Sequence, residues 1–322
     1  MTETKAPTAS GAAAAVHPEM AKILAWMAGL GLPDVTRIPI DEARNITHRV
    51  SQHWNHPKPD LATVDLSLPG PAGAIKARLY RPGPGRLPVV LFLHGGGWVF
   101  GNLETHDRFM RMMAVETGAA VLGIDYRKAP EHPFPAGHDD AMAAVSWLRS
   151  DGAARDLDAA RIVACGDSAG ANLALGLLVG LRQAGLPQIQ GAGLFYGCFA
   201  PDLDTASHKA FGGGNFGLTT ARMTWFWNAF LGGSPASPDL RAAPSRADPA
   251  GLPPLYLNAA ALDPLLDDTL SYVEKLKAAK VPYQFDLYEG VIHGFMQMGR
   301  ELEPARRSVS DAARALKGML AA

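Results

Sequence analysis

Three separated stretches of this chain carry the residue types needed for nucleophilic acyl transfer. The first is Gly166-Asp167-Ser168-Ala169-Gly170, which follows a short apolar run and precedes a stretch at 169–184 that is apolar nearly all round. A serine hydroxyl is a poor nucleophile until a neighbouring base removes its proton. Glycines two residues either side of the serine permit a strained strand-to-helix turn that lifts the hydroxyl clear of the backbone. That turn also places Ser168 at a helix N-terminus, where backbone N–H groups favour negative charge. In a chain with 34 glycines the pentapeptide alone is a weak signal, and the strand–turn–helix setting is what strengthens it. The competing reading is an inert serine in a small-residue turn.

The second stretch, His94-Gly95-Gly96-Gly97-Trp98, ends the apolar run 89–93. Three consecutive glycines cost chain entropy, and a purely structural reason for them is hard to supply. Their missing side chains would let backbone N–H groups reach a ligand. A carbonyl attacked by serine becomes an oxyanion, and each preset donor is typically worth ~10²–10³ in rate. The Ala169 N–H and those of the glycine run would supply three. A phosphate-binding loop is the rival, but no Lys-Ser/Thr follows and no helix opens there.

The third stretch supplies the base. Of ten histidines, His293 lies just beyond the apolar run 283–288, in Gly290-Val291-Ile292-His293-Gly294-Phe295. In open α/β sheets ligands collect at the C-terminal ends of strands, so that position singles it out. His94 is expected to brace the glycine loop, and His106, His132, His138 and His208 to lie on the surface. Asp263 comes after the run 255–259 and is expected to accept the His293 Nδ1–H and steady the imidazolium. Its rivals Asp267 and Asp268 fall in the first turn of the next helix, where acids suit the dipole. Ser168, Asp263 and His293 occur in the chain order of the α/β-hydrolase fold.

The elements that must position these residues can be read from periodicity. Helical spacing marks 18–30 and a stretch around 41–54, and two short strands, 63–68 and 74–80, flank the turn Pro69-Gly70-Pro71-Ala72-Gly73. From Leu87 onward short apolar runs at 89–93, 120–125, 162–166, 193–196, 255–259 and 283–288 alternate with helical stretches at 137–150, 169–184 and 265–279. Such alternation predicts an α/β fold: a mostly parallel sheet flanked by helices on both faces. Residues 202–250, with Gly212–Gly214, an aromatic helix and a Pro-rich run, break the alternation and read as an insertion between two strands.

Composition narrows the function. A formal net charge of −1, with Lys and Arg scattered, leaves no field for nucleic acid or an anionic membrane. No segment approaches the ~20 apolar residues of a membrane span. The two cysteines, Cys165 and Cys198, lack neighbours at ligand spacing, so buried thiols are expected, with neither a zinc site nor a disulfide framework. Residues 1–16 read as a flexible tail and not as a signal peptide, which points to the cytoplasm. An exposed edge strand near 283–288 would offer a route to a homodimer.

Taken together, HGGGW at 94–98, DYRKAPEHPFPA at 125–136, GDSAG at 166–170, DPLLDD at 263–268 and HGF at 293–295 resemble the bacterial hormone-sensitive-lipase-like (family IV) esterases of the α/β-hydrolase superfamily. The likeness runs over nearly the whole chain from about residue 17. It implies a carboxylesterase acting on a small-molecule ester, of short to medium acyl chain, through an acyl-enzyme on Ser168, with no cofactor. Carried over by position, Ser168, Asp263 and His293 match the triad, and Gly96, Gly97 and Ala169 match the oxyanion donors, with Gly95 sharing. The resemblance also implies a helical cap, made of 17–55 and the insertion 202–250, over a catalytic domain of 56–201 and 251–322. Trp98 and Phe100, next to the glycine loop, are pocket candidates. So are Trp225 and Trp227, in a cluster with Phe226 and Phe230, although ordinary packing of a cap helix would explain those equally. The Gly212–Gly214 run departs from the family pattern and leaves acyl preference open. An amidase, lactonase or arylformamidase would use the same parts, and a binding protein on a disabled hydrolase scaffold is the non-enzymatic alternative.

Overall fold

The computed structural model describes residues 15–234 and 236–322. Two helices, α1 (Pro18–Gly29) and α2 (Ile40–Trp54), precede the hairpin β1 (Ala62–Gly70) and β2 (Gly73–Arg81). The alternating part then runs β3 (Leu87–Leu93), α3 (Asp107–Thr117), β4 (Ala120–Asp125), α4 (Ala136–Asp151), β5 (Leu157–Asp167), α5 (Ala169–Gln183) and β6 (Gly191–Phe195). After α6 (Ala206–Phe211) and α7 (Thr220–Phe230) the pattern resumes with β7 (Leu255–Leu262), α8 (Leu266–Ala278), β8 (Tyr283–Ile292) and α9 (Glu303–Ala321).

The eight strands form one sheet in the order β1-β2-β4-β3-β5-β6-β7-β8. The β1–β2 and β2–β4 pairs are antiparallel, and every pair from β4 to β8 is parallel. Helices cover both faces, so the central strands are apolar on both sides. Val89, Leu91 and Leu93 pack into one core with α4 and α5, while Val90 and Phe92 pack into the other with α3 and α9. That is the period-2 alternation of a strand buried on both faces.

The C-terminal strand ends carry the chemistry-bearing residues. β3, β5, β7 and β8 end at Leu93, Asp167, Leu262 and Ile292. The next residues are His94, Ser168, Asp263 and His293. The apolar runs in the sequence underestimate these strands, because polar residues such as Asp158 and Glu289 sit within β5 and β8.

Residues 202–250 do lie between two strands, β6 and β7. Both helices there are N-capped: the Thr205 hydroxyl accepts from His208 N at 3.2 Å and the Thr219 hydroxyl from Arg222 N at 2.9 Å. The glycine run between them is closed by a bridge pairing Gly213 with Thr219. The surface assignment of the histidines needs correction. His132 is exposed, but His106, His138 and His208 are buried. Contacts made by distant segments bury them, which local spacing does not register. The expected tail lies mostly outside the described residues. Cys165 and Cys198 are buried free thiols.

Candidate active site

The turn after β5 is strained and held from three sides. Ser168 has φ 55° and ψ −118°, a combination that costs a non-glycine residue roughly 1–3 kcal/mol. Its N–H donates to Phe195 O at 2.8 Å, which ties the turn to β6. Behind it, a Cβ at Gly170 would stand 1.9 Å from Leu93 O, so the second glycine lets the start of α5 press directly on the end of β3. α5 is buried from Ala169 to Leu181, which anchors the turn in the core.

Three distant side chains converge on this turn. His293 Nε2 lies 2.9 Å from Ser168 Oγ, and His293 Nδ1 lies 2.7 Å from Asp263 Oδ2. Asp263 is 1% exposed, and its other oxygen accepts the Leu265 N–H at 2.9 Å. A buried carboxylate can only accept here, so Nδ1 carries the proton and Nε2 is left to accept from the hydroxyl. The Tyr196 ring meets the imidazole in a T-shaped contact, with ring centroids 5.1 Å apart.

Beside the hydroxyl sits the glycine loop. The Val99 and Phe100 N–H groups donate to Gly96 O at 3.1 and 2.8 Å, closing a tight turn. Among the described residues the N–H groups of Gly96, Gly97 and Ala169 have no hydrogen-bond acceptor. Gly95 is different. Its N–H donates to Asp167 Oδ1 at 2.8 Å, so it is already engaged and the expectation that it shares the oxyanion is corrected. The glycines also have a structural reason that the sequence alone does not supply. A Cβ at Gly95 would meet Asp167 Oδ2 at 2.5 Å, one at Gly96 would meet Phe100 O at 2.5 Å, and one at Gly97 would meet the Phe226 ring at 2.2 Å.

The rival residues have other partners. His94 Nδ1 lies 2.9 Å from Gly95 O, and its ring stacks on Tyr126 at 4.2 Å, in keeping with a bracing role. Asp267 accepts the Ser207 N–H and Asp268 the Phe199 N–H, each at 2.8 Å, so both carboxylates fasten the 199–208 segment to the start of α8. Burial pushes the Asp268 carboxyl up to about 7, against the opposing pull of backbone N–H groups at Phe199 and Ala200.

The aromatic candidates pack chiefly on one another. Trp98 stacks on Phe230 at 4.1 Å and tilts against Trp227 at 4.6 Å, while Phe100 stacks on Trp225 at 5.8 Å. The ring that stands where a Gly97 side chain would go is Phe226, a member of the sequence cluster that spacing alone does not single out. Asp167, Gln297 and Tyr196 escape a reading of the sequence. Only Asp167 leaves a local trace, as the residue before the serine.

A family model described as alpha/beta hydrolase fold matches residues 90–297. This chain belongs to the α/β-hydrolase family. The hormone-sensitive-lipase-like reading of its motifs stands with that result. This α/β hydrolase is 37% identical over 257 residues to Esterase LipI of Mycobacterium tuberculosis, covering 74% of this chain and 76% of the relative. An acetyl esterase of Salmonella schwarzengrund is 32% identical over 268 residues, 81% of each chain. Among solved structures, a hyperthermophilic esterase from the archaeon Pyrobaculum calidifontis superposes with a TM-score of 0.90 at 33% identity, covering 96% of this hydrolase and 100% of the other. A thermostable esterase from Pseudomonas putida gives 0.90 at 29% identity, covering 97% and 99%.

Proposed function

We propose that this α/β hydrolase is a serine carboxylesterase for short- to medium-chain acyl esters, with Ser168 as nucleophile, His293 as base and Asp263 as its orienter. One observation carries the reading: the unbroken path from Asp263 through His293 to Ser168, at 2.7 and 2.9 Å. The relatives' names, esterase and acetyl esterase, support it.

His293 Nε2 takes the hydroxyl proton as Ser168 Oγ bonds to the ester carbonyl carbon, and the carbonyl oxygen becomes an oxyanion facing the N–H groups of Gly96, Gly97 and Ala169. The imidazolium, steadied by Asp263, gives its proton to the departing alkoxide as the C–O bond breaks. Water then attacks the acyl-enzyme by the same route, its proton passing through His293 to Ser168, and the carboxylic acid leaves.

Over this site we place a cap made of 17–55 and 202–250. Arg44 of α2 donates to Val99 O at 3.0 Å, and Ser207 Oγ of α6 donates to Pro264 O at 2.7 Å, so both pieces grip loops of the site. Phe226, packed on Phe100 and Trp225, forms with the Trp98–Trp227 pair the apolar wall beside the glycine loop. Ser168 is 9% exposed, which suits a small ester. Among the described residues no helix is long and apolar enough to cross a membrane. Two buried free thiols fit a reducing cytoplasm. β8 is the last strand of the sheet; the His17 N–H donates to Gly290 O at 2.9 Å near its end, and pairing of the edge over 283–288 would give a homodimer that light scattering would detect.

A panel of p-nitrophenyl esters of increasing chain length, run beside matched amides and lactones, tests the reaction class. Turnover of the short esters with Ser168 labelled by a fluorophosphonate is expected; unchanged turnover by Ser168→Ala would refute the assignment.

A further inference from the structure

Three loops of the site meet at one buried carboxylate that the reaction itself does not use. Asp167, immediately before Ser168, is 4% exposed. Its Oδ1 accepts the Gly95 N–H at 2.8 Å and its Oδ2 accepts from Gln297 Nε2 at 3.3 Å. His106 Nε2 lies 3.3 Å from the same Oδ1 and 2.7 Å from Gln297 Nε2. Gln297 belongs to the short turn Phe295–Met298 that begins two residues after His293. The carboxylate therefore touches the glycine loop, belongs to the nucleophile turn, and reaches the segment beyond the base.

A buried anion in this place needs a reason. Among the described residues no Lys or Arg pairs with it, and it stands one residue from a serine whose reaction builds a second negative charge. Burial works against its ionisation, yet His106 and the Gly95 N–H outweigh burial and hold its pKa below the ordinary aspartate range. It is charged at neutral pH, and its own charge would oppose the developing oxyanion. Its use must outweigh that cost.

The glycine loop shows what the use is. Downstream, Gly96 O is pinned by the Val99 and Phe100 N–H groups. Upstream, His94 O accepts the Tyr126 hydroxyl at 2.8 Å and the Gly95 N–H is held by Asp167. Between these anchors lie the Gly96 and Gly97 amides, in a backbone with φ of 115° and 61° that carries no side chains of its own, and His94 Nδ1 lies 2.9 Å from Gly95 O on the peptide that bears the Gly96 N–H. A shift of the Gly95 peptide would turn the Gly96 amide with it.

We propose that Asp167 is a positioning residue: by holding the Gly95 N–H it sets the Gly96 and Gly97 amides against that of Ala169, and Gln297 ties this setting to the His293 loop. The inference rests on the serine-esterase reading and adds a residue to it.

The test measures kcat and KM for p-nitrophenyl acetate, per active site counted by fluorophosphonate titration, in Asp167→Ala, Asp167→Asn and Gln297→Ala. Removing one oxyanion donor outright typically costs ~10²–10³ in rate, so loss of its alignment in Asp167→Ala should lower kcat about tenfold to hundredfold, with KM changed less than about threefold. Asp167→Asn keeps an oxygen for the Gly95 N–H and should restore kcat to within about threefold, with the acid limb of the kcat/KM profile unmoved. Gln297→Ala should fall between the two. Binding of a trifluoromethyl ketone, which builds a tetrahedral oxyanion on Ser168, should weaken in step with kcat/KM. Wild-type kcat in Asp167→Ala would overturn the proposal. So would an Asn variant as impaired as Ala with its acid limb displaced, because the charge would then act on the imidazolium. If Asp167→Ala fails to fold, the other two decide: an impaired Asn variant beside an unaffected Gln297→Ala also overturns it. Activity persisting in Ser168→Ala would sink the esterase reading instead.

Discussion

The rim at the C-terminal ends of β3, β5, β7 and β8 and the inserted segment 202–250 meet each other, but different forces hold them. The rim is fixed by directional bonds between charged or polar groups: Asp263 to His293, His293 to Ser168, Gly95 to Asp167, and Leu265 N to Asp263. The insertion contributes rings. Trp227 and Phe230 pack on Trp98, Phe226 packs on Phe100, and among the described residues the indole N–H groups of Trp98 and Trp227 have no hydrogen-bond partner. Hydrogen bonds fix direction, whereas aromatic burial fixes area and tolerates repacking when volume is kept. Under the proposed esterase reading the rim sets whether the reaction occurs, and the insertion the shape of the space above it.

The contrast can be broken at either end. His293→Ala should lower kcat by ~10⁴–10⁶, as for other members of a nucleophile–base unit. A loss under about a hundredfold in steady-state assays would show that the rim is not one unit. Gly97→Ala probes the seam, since its methyl would enter the Phe226 ring. It should cost about a hundredfold in kcat, the lower end for one oxyanion donor, and adding Phe226→Ala should recover part of the loss if the clash is the cause. Trp227→Ala should destabilise the fold by about 3–5 kcal/mol in urea titration, yet leave kcat/KM for an acetate ester within about tenfold. A drop of roughly a thousandfold would erase the distinction between the two regions.

The smallest effect concerns the fastening between them. Asp268 is raised to about 7 by burial. Between its ordinary value near 4 and about 7 the unfolded chain is ionised while the folded chain holds the proton, so this group lowers stability as pH rises through that window. The penalty is complete above about pH 7 and absent below about pH 4. Asp268→Asn should therefore raise the unfolding midpoint at about pH 8 and lose most of that advantage at about pH 5. A pH-independent shift would show that the carboxyl is already ionised at the lower pH.

Legibility in the sequence divides along the same line. Ser168, Asp263 and His293 can be read because each directly succeeds a strand, and strands buried on both faces announce themselves as apolar runs. The Gly95–Asp167 bond joins residues 72 positions apart and leaves no periodic trace. α9 is legible by spacing, with Ala305, Val309, Ala312, Leu316 and Leu320 on one face and the exposed Arg307, Arg314 and Lys317 on the other, but it follows the last strand and so lies outside the alternation that picks out the other helices. α3 escapes for a different reason: its buried face opens on Asp107, which accepts the Tyr80 hydroxyl at 2.9 Å. His106, His138 and His208 are misread from the sequence because their cover comes from other segments, and burial of that kind is a property of the fold rather than of the local chain.

The contact between Gly170 and Leu93 O also bears on any attempt to redesign this protein. With 1.9 Å available, even a methyl group would drive α5 and the end of β3 apart, and with them Ser168 and the amides of the glycine loop. A mutant library meant to alter selectivity would do well to freeze position 170 and spread its diversity across the ring-bearing positions of α7, where repacking has somewhere to go.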